Sequence, residues 1–382
     1  MGNRYDFLEW LGPDTSSTVL MCLDDPADIV RVSSTSRAWR QFVIANGLLK
    51  KLCIRTCPEV SNFTRIVEAS DSSNLVEPGS SNSVEWKSLH SENKAYTSLA
   101  CHLISPISKR EIMLESISAS STDNYPDESI ENTLEPSDRV DRRPSYWSSG
   151  GSRDPGSPEF LIYRLRSKLC VVHEIKVQPF QAFFQPGNPI YSAKAVRFRM
   201  GHSKQETSFA HSLVADTNIQ PRIVEAQQAA SSDYVWTYIS PVFPMAQENA
   251  LQSFKLPRPA LCIGGILQIE LLGRVQLQEM DHLFYICVCH VKVVGHSLYP
   301  KFDVDVLDTL GTSVLKYFPG ATNSAEGVAP EDEMRGASGW HAFAERIRQV
   351  RAGAAWNQVL LNALLGNVPV EDVDDSGDEL FE

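Results

Sequence analysis

The 382-residue chain lacks any stretch that a bilayer would hold. Its longest apolar run, ALCIGGILQIELLG, is broken by Gln268 and Glu270 and falls short of the roughly 20 residues a spanning helix needs. The start, MGNRYDFLEW, has no apolar leader, and Asp6 stands where a myristoylation signal at Gly2 wants Ser or Thr. The expectation is a soluble protein of the cytoplasm and/or nucleus, with no membrane partner. The eight cysteines contain no CxxC pair and meet no HxxxH partner. Cys53, Cys57 and Cys101-His102 come nearest to a ligand set and fall short of zinc spacing, so the thiols read as reduced, small hydrophobes. GxSxG, Walker and GxGxxG motifs are absent, and Glu206, His211 and Asp216 form only the sort of loop cluster that occurs commonly. The expectation is no catalytic residue, no metal and no cofactor, hence no enzyme.

Positive charge is also in short supply: the net charge is -12. Seven of the negative charges (Glu371, Asp372, Asp374, Asp375, Asp378, Glu379 and Glu382) crowd the final twelve residues, leaving the rest about five units negative. Such a tail repels phosphate backbones and argues against nucleic acid as a partner. What is present is an ordinary globular composition, 42% hydrophobic and 21% charged, on a chain long enough for two or more domains.

Texture divides the chain. Residues 1–66 read helical, with short apolar patterns between Pro and Gly punctuation. Residues 67–111 read as a linker, serine-rich from Ser70 to Ser83, followed by a helix anchored by Trp86, Leu89, Tyr96, Leu99 and Leu103. Residues 112–298 hold successive strand-like runs without intervening helices, which indicates an antiparallel sandwich. In LCVVHEIKVQ, period two puts Val171, His173, Ile175 and Val177 on one face. In LFYICVCHVKVVG, it puts Tyr285, Cys287, Cys289, Val291 and Val293 together, as a core face. Residues 299–370 read as a helical segment, with Trp340, Phe343, Ile347, Trp356, Leu360 and Leu364 as anchors, and 371–382 as a disordered acidic tail. The fold class expected is α+β multidomain.

The N-terminal block carries three helix starts. Pro13 suits a first turn, with Val19, Leu20 and Leu23 on one face. Asp25 caps a helix begun by Pro26 and edged by Ile29 and Val32. Ser34 or Ser36 caps a third helix carrying Trp39 and Phe42, which stops at Asn46-Gly47. Three short helices cannot offset the cost of ordering their own backbone, so the reading asks for something to cover them. The segment LGPDTSSTVLMCLDDPADIVRVSSTSRAWRQFV resembles an F-box, with Leu11 and Pro13 as its Leu-Pro opening and Gly12 inserted between them. The resemblance implies docking on a Skp-type adaptor, and through it a cullin scaffold, by Leu11, Pro13, Val19, Leu20, Leu23, Ile29, Val32, Trp39 and Phe42.

The second half is similar to discoidin-like, galactose-binding-like jelly rolls. Its Tyr146-Trp147-x-Ser149-x-Gly151 loop is similar to that of the Doc subunit of the anaphase-promoting complex. That likeness implies a client-recruiting sandwich with Arg143, Tyr146 and Trp147 at the ligand surface, although Trp147 could equally plug the barrel base. The loop QAFFQPGNPIY, with Phe183, Phe184 and Tyr191, reads first as a packed β-corner. The function implied is a substrate-recognition subunit of an SCF ubiquitin ligase. The alternative is a carbohydrate- or peptide-binding sandwich with no ligase role.

Overall fold

A computed structural model describes residues 6–69, 81–104, 109–140, 143–204, 233–306 and 312–321. The expected anchors between Trp340 and Leu364, the acidic tail, the Glu206–Asp216 trio and most of the serine-rich linker lie outside the described residues.

Local sequence chemistry accounts for the helix boundaries. Helix α1 (Phe7–Leu20) is interrupted at Gly12, whose φ of +73° suits a residue without Cβ; Pro13 then restarts the helix. Asp25 caps α2 (Pro26–Ser34) by accepting from the Ala27 amide at 2.8 Å. Ser36 caps α3 (Arg37–Ala45) by accepting from the Trp39 amide at 3.2 Å. Gly47, left-handed at φ +56°, turns the chain into α4 (Leu48–Thr56), a fourth helix beyond the three expected. The all-helical reading of residues 1–66 needs correction at its end. Pro58 opens a short 3₁₀ turn, and the β-branched run that follows forms strand β1 (Phe63–Glu68). Helix α5 (Ser81–Ile104) buries Tyr96, Leu99 and Leu103 and leaves Trp86 exposed.

Two antiparallel sheets build the sandwich. The first runs β6 (Tyr234–Ile239), β5 (Ala193–Ser203), β8 (Ile266–Arg274), β3 (Glu159–Leu165), β2 (Met113–Ala119). The second runs β7 (Gln252–Ile263), β4 (Leu169–Gln181), β9 (Cys287–Ser297), with Arg110–Glu111 at its edge. Between them lies one aliphatic and aromatic core, including Trp147, Val172, Ile175, Val196, Phe198, Leu267 and Val291.

Strict alternation fails at two bulges in the second sheet. His173 is skipped in the pairing of β4 with both neighbours, and Cys289 is skipped where β9 pairs β4. Each extra residue reverses the phase of its strand. Val172, Ile175 and Val177 therefore face the sandwich core while Val171 faces away from it. Likewise Val291 and Val293 enter that core, whereas Tyr285, Cys287 and Cys289 join a separate cluster.

The segment 299–370 also departs from expectation where it is described. Strands β10 (Phe302–Val306) and β11 (Ser313–Tyr317) stand where helix was expected. They form a three-stranded sheet with β1, which lies parallel to β11 from Phe63↔Ser313 to Glu68↔Tyr317. Helices, this small sheet and the outward end of the second sandwich sheet share one core that joins Ile29, Leu48, Leu52 and Leu99 to Leu169, Val171, Leu261 and Ile263. The chain thus supplies for itself most of the cover that its short helices require. No helix among the described residues is long and apolar enough to cross a membrane.

Candidate functional site

The nine residues offered for adaptor docking separate by accessibility. Ile29 is fully buried in the chain's own core and Leu20 nearly so, leaving them almost no surface for a partner, which corrects their assignment. Leu23, Val32, Trp39 and Phe42 are half-buried against the same core. Trp39 donates its indole N–H to the Asp6 carboxylate at 2.8 Å. Leu11 and Val19 are 38% and 46% exposed, and Pro13 is exposed beside them. Trp10, absent from the sequence-derived set, is 81% exposed. Its position next to Leu11, just before the Gly12 break, was the available signal.

At the end of β4 away from the helices the Tyr-Trp loop is fixed from below. Trp147 is fully buried in the sandwich core and donates its indole N–H to the Ser121 carbonyl at 3.0 Å. It is the barrel plug and not a client contact, because no part of it reaches solvent. The buried Arg274 ties the adjoining chain together. Its guanidinium donates to the Glu159 carboxylate, to Ser149 Oγ at 3.1 Å and to the carbonyls of Gly150 at 2.7 Å and Phe284 at 2.8 Å. Gly151 is needed for the same closeness: a Cβ there would lie 2.6 Å from the Tyr285 hydroxyl oxygen.

Tyr146 stacks on Phe180 with ring centroids 3.9 Å apart, and its hydroxyl donates to Glu128 at 2.6 Å. Together with Asp123, Phe184, Tyr191 and Tyr285 these residues line a cavity of about 210 Å³. Burial, then hydrogen bonding to Glu128, pushes the Tyr146 phenol well above its usual range, so it stays a neutral donor. Arg143 is exposed, in a two-stranded ribbon with Arg139–Val140, and is not among the lining residues. Phe184 and Tyr191, read from sequence as a packed corner, both face this cavity. Glu128 carries no sequence signal and the strand period marks Tyr285 only as a core-face residue, since their places at the cavity arise from long-range juxtaposition.

Two of the cysteines the sequence set nearest to a ligand group are buried and bonded to backbone. Cys53 Sγ donates to the Tyr96 carbonyl at 3.6 Å and Cys57 Sγ to the Pro259 carbonyl at 3.4 Å. Among the described residues no group of three or more His, Cys, Asp or Glu could hold a metal.

No family model matches the chain. A search of curated proteins finds an F-box protein of Arabidopsis thaliana that is 49% identical over 315 residues, 81% of each chain. The chain belongs to the F-box proteins. Solved structures share less with it. The family 32 carbohydrate-binding module of Clostridium perfringens NanJ, solved with galactose, is 10% identical. It covers 48% of this chain and 99% of its own, at a TM-score of 0.29. The family 32 module of Streptococcus pneumoniae EndoD is 11% identical, covering 48% and 97%, at 0.30. These values are too low to assign a ligand to this F-box protein; the sandwich architecture rests on its own strand pairing.

Proposed function

We propose that this F-box protein is the substrate-recognition subunit of an SCF-type cullin-RING ubiquitin ligase. Its N-terminal helices dock on a Skp-type adaptor, which joins it to a cullin scaffold, and its sandwich holds a protein client. The observation that carries the reading is the exposure of Trp10, Leu11 and Val19, three large apolar side chains within ten residues of sequence, while Leu20 and Ile29 are buried. Side chains of that size left at a surface cost hydrophobic stabilisation unless a partner shields them.

The role requires no covalent chemistry from the chain. Holding a client beside a charged conjugating enzyme raises the effective concentration of the attacking lysine. Burial supports a spectator role for three of the buried thiols, raising Cys57 and Cys287 to about 12 and Cys289 to about 11, so these three are protonated at neutral pH and poor nucleophiles.

Co-precipitation of the full chain with a recombinant Skp-type adaptor tests this. Trp10→Ala combined with Val19→Asp is expected to weaken capture by tenfold or more with the melting temperature unchanged. Undiminished capture by that folded variant removes the proposed face.

A further inference from the structure

We propose that the cavity beside Tyr146 reads a cationic side chain, lysine or arginine, flanked by apolar residues in a client peptide. The inference rests on the reading of the sandwich as the client-holding module and names what it holds.

The cavity is smaller than the roughly 300 Å³ at which drug-sized sites begin, which fits one side chain and not a folded surface. Its walls combine aromatic rings with carboxylates. Tyr146, Tyr191 and Tyr285 line it, along with Asp123 and Glu128. Aromatic faces and carboxylates attract the same kind of guest, a partly desolvated cation. Among the described residues the lining contains no lysine, arginine or histidine to neutralise it.

The acids are held in place. Glu128 accepts from the Tyr146 hydroxyl at 2.6 Å, and Asp281, behind Tyr285, accepts from that hydroxyl at 2.5 Å and from the Leu283 amide at 3.0 Å. Burial, followed by the charges of Glu128 and Asp281, raises the Asp123 carboxyl above its usual range.

The surroundings point to a peptide. Tyr125, two residues from Asp123, is 68% exposed; Phe184, on the wall, is 51% exposed; Met280, beside Asp281, is 90% exposed. An exposed aromatic on the wall, with Tyr125 and Met280 exposed on the segments that carry Asp123 and Asp281, matches a basic residue between apolar neighbours, and a methionine adapts to varied partners. Charge complementarity thus selects the occupant.

The experiment pans a random peptide display library on the full chain. Enriched peptides are expected to share a lysine or arginine at one position. Replacing that residue by norleucine, or using Asp123→Asn with Glu128→Gln in the protein, should weaken binding by tenfold or more, and added salt should weaken it further. Glu128→Lys should invert the selection toward acidic peptides, a result that simple loss of structure cannot produce. Thermal melting confirms that each variant is folded. Enriched peptides without a basic residue, equal binding by the norleucine peptide, or enrichment of nothing while galactose binds the wild type each overturn the inference. Adaptor capture, measured on the same preparation, is independent. Its failure overturns the ligase reading alone, whereas capture without basic-peptide binding overturns the pocket chemistry alone.

Discussion

The outward face of sheet β7–β4–β9 has two ends with opposite character. At one end Leu169, Val171, Leu261 and Ile263 are sealed beneath the helices. At the other, Phe180, Ala182, Cys287 and Tyr285 form the floor of an open aromatic cavity. Between them the face is polar, with Glu174, Lys176 and Gln178 only half-buried. The sealed end neutralises its charge: Arg258 grips the buried Glu59 with two hydrogen bonds, at 2.7 and 3.0 Å. The open end leaves Asp123 and Glu128 without a cation among the described lining residues. A paired buried charge and aliphatic packing mark a joint, whereas carboxylates without a cation and an exposed aromatic mark a place for another molecule.

The strongest way to break this contrast is to damage the joint. Leu261→Ala removes a fully buried side chain at the helix–sheet contact and is expected to cost about 2–5 kcal/mol, read by denaturant unfolding. If the joint were a loose contact the loss would stay below about 1 kcal/mol. Next comes Arg258→Leu, which leaves the Glu59 carboxylate buried without its partner. Because Arg258 is about a third exposed, solvent screens the pair and the expected cost is roughly 1–3 kcal/mol. An unchanged unfolding midpoint would show that Glu59 finds water instead.

Much of the helical end was legible in sequence because its signals are local. Pro13, Asp25, Ser36 and Gly47 act within a turn or so of themselves, and each helix boundary they imply exists. The alternating runs of the sandwich were legible for the same reason. Phase was not, because a bulge at His173 or Cys289 is set by the neighbouring strands and leaves no mark in the strand's own period. Nor could the parallel pairing of Phe63–Glu68 with Ser313–Tyr317 be read, since it closes a loop of some 250 residues. At the cavity the loop motif points to Tyr146, but Trp147 beside it, opening a short paired strand against Cys287–Val288, turns inward.

The joint also holds a pH signature of middling size. His102, His173 and His296 meet where α5 reaches β4 and β9: His296 Nε2 donates to the His102 carbonyl at 3.1 Å, and the His173 and His296 rings lie 5.6 Å apart. Burial lowers all three, with Lys109 and then His296 adding to it for His173, which falls from 6.5 to about 4. A histidine whose folded-state pKa is depressed stabilises the fold in its neutral form. That contribution is complete above about 6.5 and is lost as pH falls toward 4, since the unfolded chain then binds the extra protons. His173→Gln should flatten the unfolding free energy across that window by on the order of 1–2 kcal/mol, allowing for solvent at a half-buried ring. Parallel pH curves for wild type and variant would place the titration elsewhere.

The smallest stability effect is expected at the open end, and that smallness is what makes the test sharp. Phe184 is half exposed and packs on Phe180 and Phe183 at the lip of the cavity, with centroids 6.2 and 5.6 Å away. Its removal in Phe184→Ala forfeits little apolar burial, so the unfolding free energy should move by no more than about 0.5 kcal/mol. A rim aromatic that closes over a guest, however, contributes to binding on the order of 1–2 kcal/mol, about a tenfold loss of affinity for a selected basic peptide. A joint residue moves stability and spares peptide affinity; a pocket residue does the reverse. Should Phe184→Ala lower the melting temperature as Leu261→Ala does while leaving peptide binding intact, the two ends of the sheet would be alike, and the cavity would be only a gap in the packing.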